Sequence, residues 1–557
     1  MRRHILVAAV SCLILLAGLL AGCSGTESLG TEYAVSKTQP KGALAISQRV
    51  LLVADNQLHH LYGGPLWVRS GFTTQLVSVA IRPLQQDFFG HSILTWILEN
   101  FAKADLMPVI HLGDALDVGC SGEFDRFVEI MTEALATGST NNLPQPWVMA
   151  PGNHDAYLMG NSYEKMSTWE EACERGGHPL TKDLFVESYL KALIGQPANA
   201  GLREQVSGSP AGQGSWRSQQ PEEDFLVAVS WNIDKESTYK SHIVQLVNLS
   251  LPAPPEGEAP PPVFAVIFDS SQYSAQPNVL PGFNAGINGS ILPDQIATVE
   301  GWLSQGPENR LNFLMSHHPY STLYNDAQQA INGFRRRYKV PLYNSAHTHR
   351  GEWMLNKSDE TWLELNLGSA LDWPIEFRTL SIHQNEDLKQ RGRFAVRSRL
   401  FRIPDFWQSA DAFDKPVFEE EWEAQEGDDD FFVSYQALKT PNPNTTLDRL
   451  ADVLLNVHKR MIRLIPTSET AQWPPQTDSD LAVIDRIEQV LRASLDEKLD
   501  FLAALDEFDR QRKAVSEIQH RDYRLWQAVW ASKYDSLNGR RPAVEDTFVI
   551  VPWSKNQ

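Results

Sequence analysis

Five short segments of the chain hold side chains that bind divalent cations. They are Asp55-Asn56-Gln57 with His59 and His60 close behind, Gly113-Asp114, Gly152-Asn153-His154-Asp155, His317-His318-Pro319 and His347-Thr348-His349. Together they offer carboxylates, a carboxamide and imidazoles, the mixture of oxygen and nitrogen donors that borderline divalent metals accept. Taken singly, each has a plainer reading. Gly-Asp closing an apolar run is an ordinary turn, and His-His-Pro alone says little. His-x-His after a strand is sharper, because side chains alternate with period two and both imidazoles point the same way. Five such segments, each ending a candidate strand, make a constellation.

The elements that must position them are short apolar runs at 49–55, 107–114, 145–153, 225–231, 242–251, 262–271, 311–319, 340–349 and 361–370. Between them lie helical patterns, at 92–104 with Ile93, Leu94, Ile97 and Phe101 on one face, and at 122–136 with Phe124, Phe127, Val128, Met131 and Leu135. Asp294 is the expected N-cap of a third, which carries Ile296, Val299 and Leu303. Interleaved strands and helices argue for an α/β layered domain, in which ligands sit in the loops after strand ends. Residues 196–223 and the proline-rich 251–262 read as surface excursions. Residues 419–430 hold eight acids in twelve positions, a solvated loop by preference, since their spacing fits no calcium loop. After about 446 the apolar period becomes 3.6, with one stripe from Leu447 to Leu464 and another over 480–534. A helical accessory region is expected there.

The 557 residues carry 49 Lys and Arg against 69 Asp and Glu, a formal charge of −20. This balance disfavours a nucleic-acid surface, which needs a basic footprint to neutralise phosphates. A small anionic substrate would need a local positive centre, such as metal ions.

The N-terminus reads as an address. Arg2 and Arg3 precede an apolar run over 5–20, and Leu20-Ala21-Gly22-Cys23 follows, the pattern of a secretory signal with a lipobox. It resembles bacterial lipoprotein precursors, which implies a signal peptide over 1–22, lipidation of Cys23 and a chain anchored at the bacterial cell envelope, facing the periplasm. Residues 23–45 then read as the lipidated cysteine and a flexible tether. Apart from Cys12 and Cys23, the cysteines are Cys120 and Cys173. They form either one disulfide, as an oxidising compartment permits, or two small buried hydrophobes.

The segments VADNQ, HLGDALD, APGNHD, MSHHP and SAHTH resemble, in order, the motifs of the calcineurin-like metallophosphoesterases, over about residues 46–385. The resemblance implies a mixed α/β fold, a four-layer α/β/β/α sandwich, here followed by the mostly helical region 386–557. It implies a dinuclear centre of two divalent ions (Mn, Fe or Zn). Asp55, Asp114 and His349 would hold the first ion, and Asn153, His317 and His347 the second, with Asp114 bridging. His154 would contact the phosphoryl group, and His318 would be a neighbour only. Two positions depart from the family pattern: Ala346 stands where glycine is usual, and Gln57 where histidine is. A carboxamide oxygen is a weaker donor than imidazole, so either Gln57 ligates, or His59 or His60 replaces it. The implied reaction is hydrolysis of a phosphate monoester or diester by a metal-activated hydroxide, with Asp114 and His154 as the catalytic residues. The alternative is a weakly active or inactive lipoprotein that uses this fold as a binding or envelope-assembly module. No His-Glu-x-x-His, Pro-Cys-x-x-Cys or Gly-x-Ser-x-Gly motif supports a peptidase, deaminase or serine hydrolase.

Overall fold

The computed structural model describes residues 33–58, 93–117, 119–136, 146–156, 173, 177–199, 202, 215–218, 225–234, 237–251, 259–272, 288–306, 309–349, 351–357, 361–371, 376–402 and 546–553. Two sheets organise them. The first runs β1 (Ala34–Ser36), β16 (Asp546–Pro552), β15 (Arg393–Arg402), β14 (Glu376–Gln384), β3 (Val50–Val53), β4 (Val109–His111) and β5 (Trp147–Met149), with β2 (Leu44–Ala45) also on β14. The second runs β12 (Glu352–Lys357), β13 (Thr361–Asn366), β11 (Leu342–Ser345), β10 (Leu311–Met315), β9 (Val263–Ile267), β8 (His242–Asn248), β7 (Phe225–Ser230) and β6 (Ser215–Arg217). Each sheet has a parallel heart, β3-β4-β5 in one and β9-β10-β11-β13 in the other. These strands are buried on both faces and read as largely apolar runs, with Asn312, Asn344, Glu364 and Asn366 among the buried exceptions.

Alternation along the second sheet shows the layers. Val263, Ala265 and Ile267 of β9 and Leu311, Phe313 and Met315 of β10 enter the core shared with the first sheet, where Phe313 meets Phe394 of β15 at 5.8 Å between ring centres. The intervening Val266 and Leu314 face outward onto Val299, Trp302, Leu303, Ile331 and Phe334. Those belong to α3 (Pro293–Leu303) and α4 (Asn325–Tyr338). Helix α1 (Ser121–Ala136) packs with a π-wound segment, Leu98–Lys103, which lies on β3. Helix α2 (Lys182–Gly195) packs on β7 and β8. The architecture is mixed α/β, two sheets with helices outside them, as a metallophosphoesterase fold has. At roughly 1.5–3 kcal/mol per buried aliphatic or aromatic side chain, the inter-sheet core is the main stabilising layer.

Three expectations are corrected. Residues 34–45 are not all tether, because β1 pairs with β16 and β2 with β14. Such two- and three-residue strands are too short for a periodic pattern. The boundary at 385 is not a boundary either: β15 and β16 continue the first sheet past β14. Arginines at 393, 397, 399 and 402 break the apolar run of β15, with Arg397 lying over the Phe548 ring. The helical stripes and the acidic run fall outside the described residues. Finally, the N-cap of α3 is Leu292, with Pro293 in the first turn, where its fixed φ and missing N–H suit it. Asp294 lies inside the first turn, beside the positive end of the helix dipole.

Cys120, just before α1, and Cys173 form a disulfide with Cα atoms 5.3 Å apart. It ties the start of α1 to the long insertion that follows β5. No helix among the described residues is long and apolar enough to cross a membrane.

Candidate functional site

The five candidate segments follow β3, β4, β5, β10 and β11, which are neighbours within the parallel part of each sheet. Parallel strands deliver all their C-terminal ends to one edge, so the loops of both sheets meet there. Asp55 and Gln57 follow β3, Asp114 follows β4, Asn153 and His154 follow β5, His317 follows β10, and His347 and His349 follow β11.

The backbone at this edge is strained. Seven described residues other than glycine have positive φ, and five of them are Asp55 (54°), Gln57 (40°), Asp114 (53°), His347 (71°) and His349 (56°). A left-handed residue with a side chain costs on the order of 1–3 kcal/mol and persists only where its surroundings impose it. The glycines of the motifs have a steric reason. A Cβ on Gly113 would stand 2.6 Å from the Ala150 carbonyl oxygen, and one on Gly152 would stand 2.2 Å from Asp114 Oδ1. Only glycine lets the loops after β4 and β5 press together this closely.

Donor atoms converge. His317 Nε2 lies 3.0 Å from Asn153 Oδ1, 3.2 Å from His347 Nδ1 and 3.3 Å from Asp114 Oδ2. His349 Nε2 lies 3.4 Å from Asp55 Oδ1. The ligating atoms of Asp55, Asp114 and His317 all fall within 4.8 Å of one another, as do those of His317, His318 and His347. Asp55, Asp114, Asn153, His317, His347 and His349 are thus brought to one cluster, in which His317 stands with Asp55 and Asp114 as well as with Asn153 and His347. His318, set apart as a neighbour, stands in the same histidine trio, its Nδ1 bonded to Ser270 Oγ at 2.9 Å.

The donor set fits divalent cations. His317 Nδ1 donates to the Leu112 carbonyl at 2.8 Å, which leaves Nε2 to present a lone pair to the cluster. Asn153 Oδ1 and Asp114 Oδ2 are acceptors as well. Gln57 Oε1 is buried with no hydrogen-bond partner among the described residues, and so is Asp55 Oδ1. A buried acceptor without a donor costs about 1–3 kcal/mol, and a cation among these lone pairs removes that cost. Without one, the cluster takes up a proton: burial opposes it, but the Asp114 carboxylate raises His317 to about 9. Asp114, despite burial, is held well below the usual carboxylate range by His317 and His154. Burial and the His317 charge push His347 down to about 3.

The sequence reading named Asp155 and Asn56 only as members of their segments, and their positioning roles, with that of Ser369, come from the structure. The Asp155 carboxylate accepts backbone N–H groups from Asp114 (2.9 Å), Ala115 (2.7 Å), Leu116 (3.1 Å) and Gly152 (2.6 Å). It thereby locks the loops after β4 and β5. Burial and Asp114 raise it to about 6, while the Gly152 and Leu116 amides pull it back. Asn56 reaches His111 and donates to the Ala115 carbonyl at 3.0 Å. Ser369 donates to the Asp55 carbonyl at 2.7 Å. The one available signal was the acid directly after Gly-Asn-His.

His154 donates from Nδ1 to the Asp117 carbonyl at 2.6 Å, and its backbone N–H reaches Asp114 Oδ1 at 2.8 Å. With Nδ1 committed to a carbonyl, Nε2 is the ring atom left to exchange protons. His154 and His349 each keep 14% side-chain exposure while the atoms between them are buried, so solvent meets the cluster there. Cys23, His59 and His60 lie outside the described residues.

Residues 49–248 match the family model described as calcineurin-like phosphoesterase. No curated protein matches the chain. Among solved structures, it is similar to GAP50, the anchor in the inner membrane complex of Plasmodium, at 8% identity and a TM-score of 0.30, over 66% of this chain and 95% of that one. It is similar to Vacuolar Protein Sorting 29 from Cryptosporidium parvum at 11% identity and a TM-score of 0.19, over 64% and 93%. A third likeness is 5'-nucleotidase from Candida albicans, at 13% identity and a TM-score of 0.29, over 77% and 66%.

Proposed function

We propose that this chain is a metal-dependent phosphoesterase, held at the bacterial cell envelope by a lipid on Cys23. The observation that carries the reading is the convergence of Asp55, Asp114, Asn153, His317, His347 and His349 from five strand ends, with the buried oxygen of Gln57, two residues after Asp55, left without a hydrogen-bond partner among the described residues. The family match over residues 49–248 supports hydrolysis of a phosphate ester as the kind of reaction.

In this reading Asp55, Gln57, Asp114 and His349 would hold one divalent ion and Asn153, His317 and His347 the other, with Asp114 available to both. Such ions, when bound, acidify water and offset phosphoryl charge. The protein does the rest. Asp155 holds Asp114 and Gly152 in register through backbone amides, so the donor set is organised before substrate arrives. His154, fixed through Nδ1, offers Nε2 to a phosphoryl or leaving-group oxygen and holds or gives a proton there. Overall a P–O bond breaks, phosphorus gains the hydroxyl of water and the departing alcohol gains the proton. The local cation charge also answers the −20 of the whole chain, which would otherwise repel an anionic ester.

The test is hydrolysis of bis-p-nitrophenyl phosphate and p-nitrophenyl phosphate by protein stripped of metal and reloaded with Mn²⁺, Zn²⁺ or Fe²⁺. Turnover is expected only after reloading, with Asp114→Asn lowering it by at least about a thousandfold. The preferred ester then separates diesterase from monoesterase. Wild-type turnover by Asp114→Asn overturns the site assignment. A folded chain that turns over neither ester with any metal is the binding module that the neutral donor Gln57 would suit.

A further inference from the structure

Behind the two histidine loops lies a buried polar network that the reaction itself does not use. The alternation that sends Leu363 and Leu365 into the inter-sheet core turns Glu364 and Asn366 to the opposite face of β13. Both are fully buried. Glu364 Oε1 accepts from Ser345 Oγ at 2.5 Å and from the Tyr320 backbone N–H at 3.3 Å, while Oε2 accepts from Asn356 Nδ2 at 2.5 Å. Asn366 Nδ2 donates to Ser345 Oγ at 2.8 Å and to the Ala346 carbonyl at 2.6 Å. Its Oδ1 accepts from Thr348 Oγ1 at 2.5 Å. Ser345 and Asn366 are register partners on β11 and β13.

These contacts add side-chain ties between two loops that the backbone joins at one point, where the Ala346 N–H donates to the His317 carbonyl at 2.8 Å. Tyr320 belongs to the turn that begins at His317. Ala346 and Thr348 flank His347, and Thr348 separates it from His349, both of which are left-handed. Burying a carboxyl group and a carboxamide is costly unless every polar atom is paired. Here the partners are backbone and hydroxyl groups of the two histidine loops, the Ser345 hydroxyl of β11 and the Asn356 amide of β12.

We propose that Glu364 and Asn366 are positioning residues: they hold the His347-Thr348-His349 loop in its strained conformation and fix its register against the His317 loop. The inference rests on the metal-site reading above. Groups behind a metal ligand orient it, and their loss typically weakens metal affinity about 10–100-fold.

The experiment measures Mn²⁺ affinity of the full, metal-stripped chain by calorimetry and by the Mn²⁺ electron paramagnetic resonance signal, with the Tm of the metal-free protein recorded alongside. Asn366→Ala is expected to weaken Mn²⁺ binding roughly 10–100-fold. Thr348→Val, which removes only the hydroxyl tie to Asn366, should weaken it roughly threefold or more. Glu364→Ala should behave like Asn366→Ala. Glu364→Gln restores affinity, because a flipped Asn356 amide can accept from the new N–H₂ group. Wild-type Mn²⁺ affinity in a folded Asn366→Ala overturns the proposal, as does a lowered metal-free Tm with unchanged affinity. If Asn366→Ala does not fold, unchanged affinity in Thr348→Val overturns it. A wild-type chain that takes up no Mn²⁺ refutes the metal-site reading itself, and that outcome is distinct from all of these.

Discussion

Glu364 has no exposure to solvent and no cation beside it among the described residues. Burial pushes it up to about 7, against the pull of Ser345, Asn356 and the Tyr320 amide. A carboxyl group whose folded value lies above its free value of 4.5 stabilises the fold fully below that free value. The contribution is lost as pH rises through the folded value. At 1.36 kcal/mol per pKa unit the gap is worth about 3 kcal/mol. Glu364→Gln stays neutral at every pH and carries no such slope. Chemical denaturation at pH 5 and pH 8 should therefore show the wild type losing about 3 kcal/mol relative to the variant between those conditions. An equal difference at both values would exclude ionisation of Glu364 from the pH response. The same residue shows what a local sequence reading misses. Asp55, Asp114 and His347 announce themselves by type and by place at a strand end. Glu364 and Asp155 are single acids whose meaning lies in amides and hydroxyls up to 44 residues away.

The strand that closes the first sheet comes from the end of the chain. Phe548, Val549 and Val551 of β16 are buried, two of them in the inter-sheet core and Phe548 against Leu388 and Ala395. Burial of three such side chains is worth about 5–8 kcal/mol, comparable to the whole stability of a typical domain. A chain ending at residue 545 also leaves β15 with an unpaired edge and β1 with no partner. It is expected to aggregate or to melt at least about 10 °C lower, as thermal unfolding and size-exclusion chromatography would show. A monomer with the wild-type Tm would mean that β16 is dispensable. All nine candidate strands read from the sequence appear as β3, β4, β5, β7, β8, β9, β10, β11 and β13, because central strands are mostly apolar and stand out between polar loops. Of the strands that the sequence reading left out, β1, β2 and β6 are two or three residues long, β12, β14 and β15 carry charged side chains, and β16 stands alone after the stretch read as helical. Pairing between residues 34–36 and 548–550 has no local signature at all.

For the whole molecule, the structured tether is shorter than its sequence suggested. Since β1 begins at Ala34, only ten residues, 24–33, separate the fold from Cys23. A fully extended chain of that length reaches no more than about 35 Å. If Cys23 is lipidated as proposed, the site works close to the bilayer surface. In that proposal the lipid is what keeps the chain there. With 69 acids against 49 bases, the body gains no attraction from an anionic leaflet, which draws in polybasic segments and repels acidic ones. Loss of the lipid should therefore release the protein completely. In fractionated cells the wild type is expected with the membranes and Cys23→Ser in the soluble fraction, with matching activity toward a soluble ester in both. Retention of Cys23→Ser on the membrane would mean that the apolar segment 5–20 stays attached and inserted. A soluble wild type would remove the envelope anchor while leaving the metal site and its chemistry to stand on their own test.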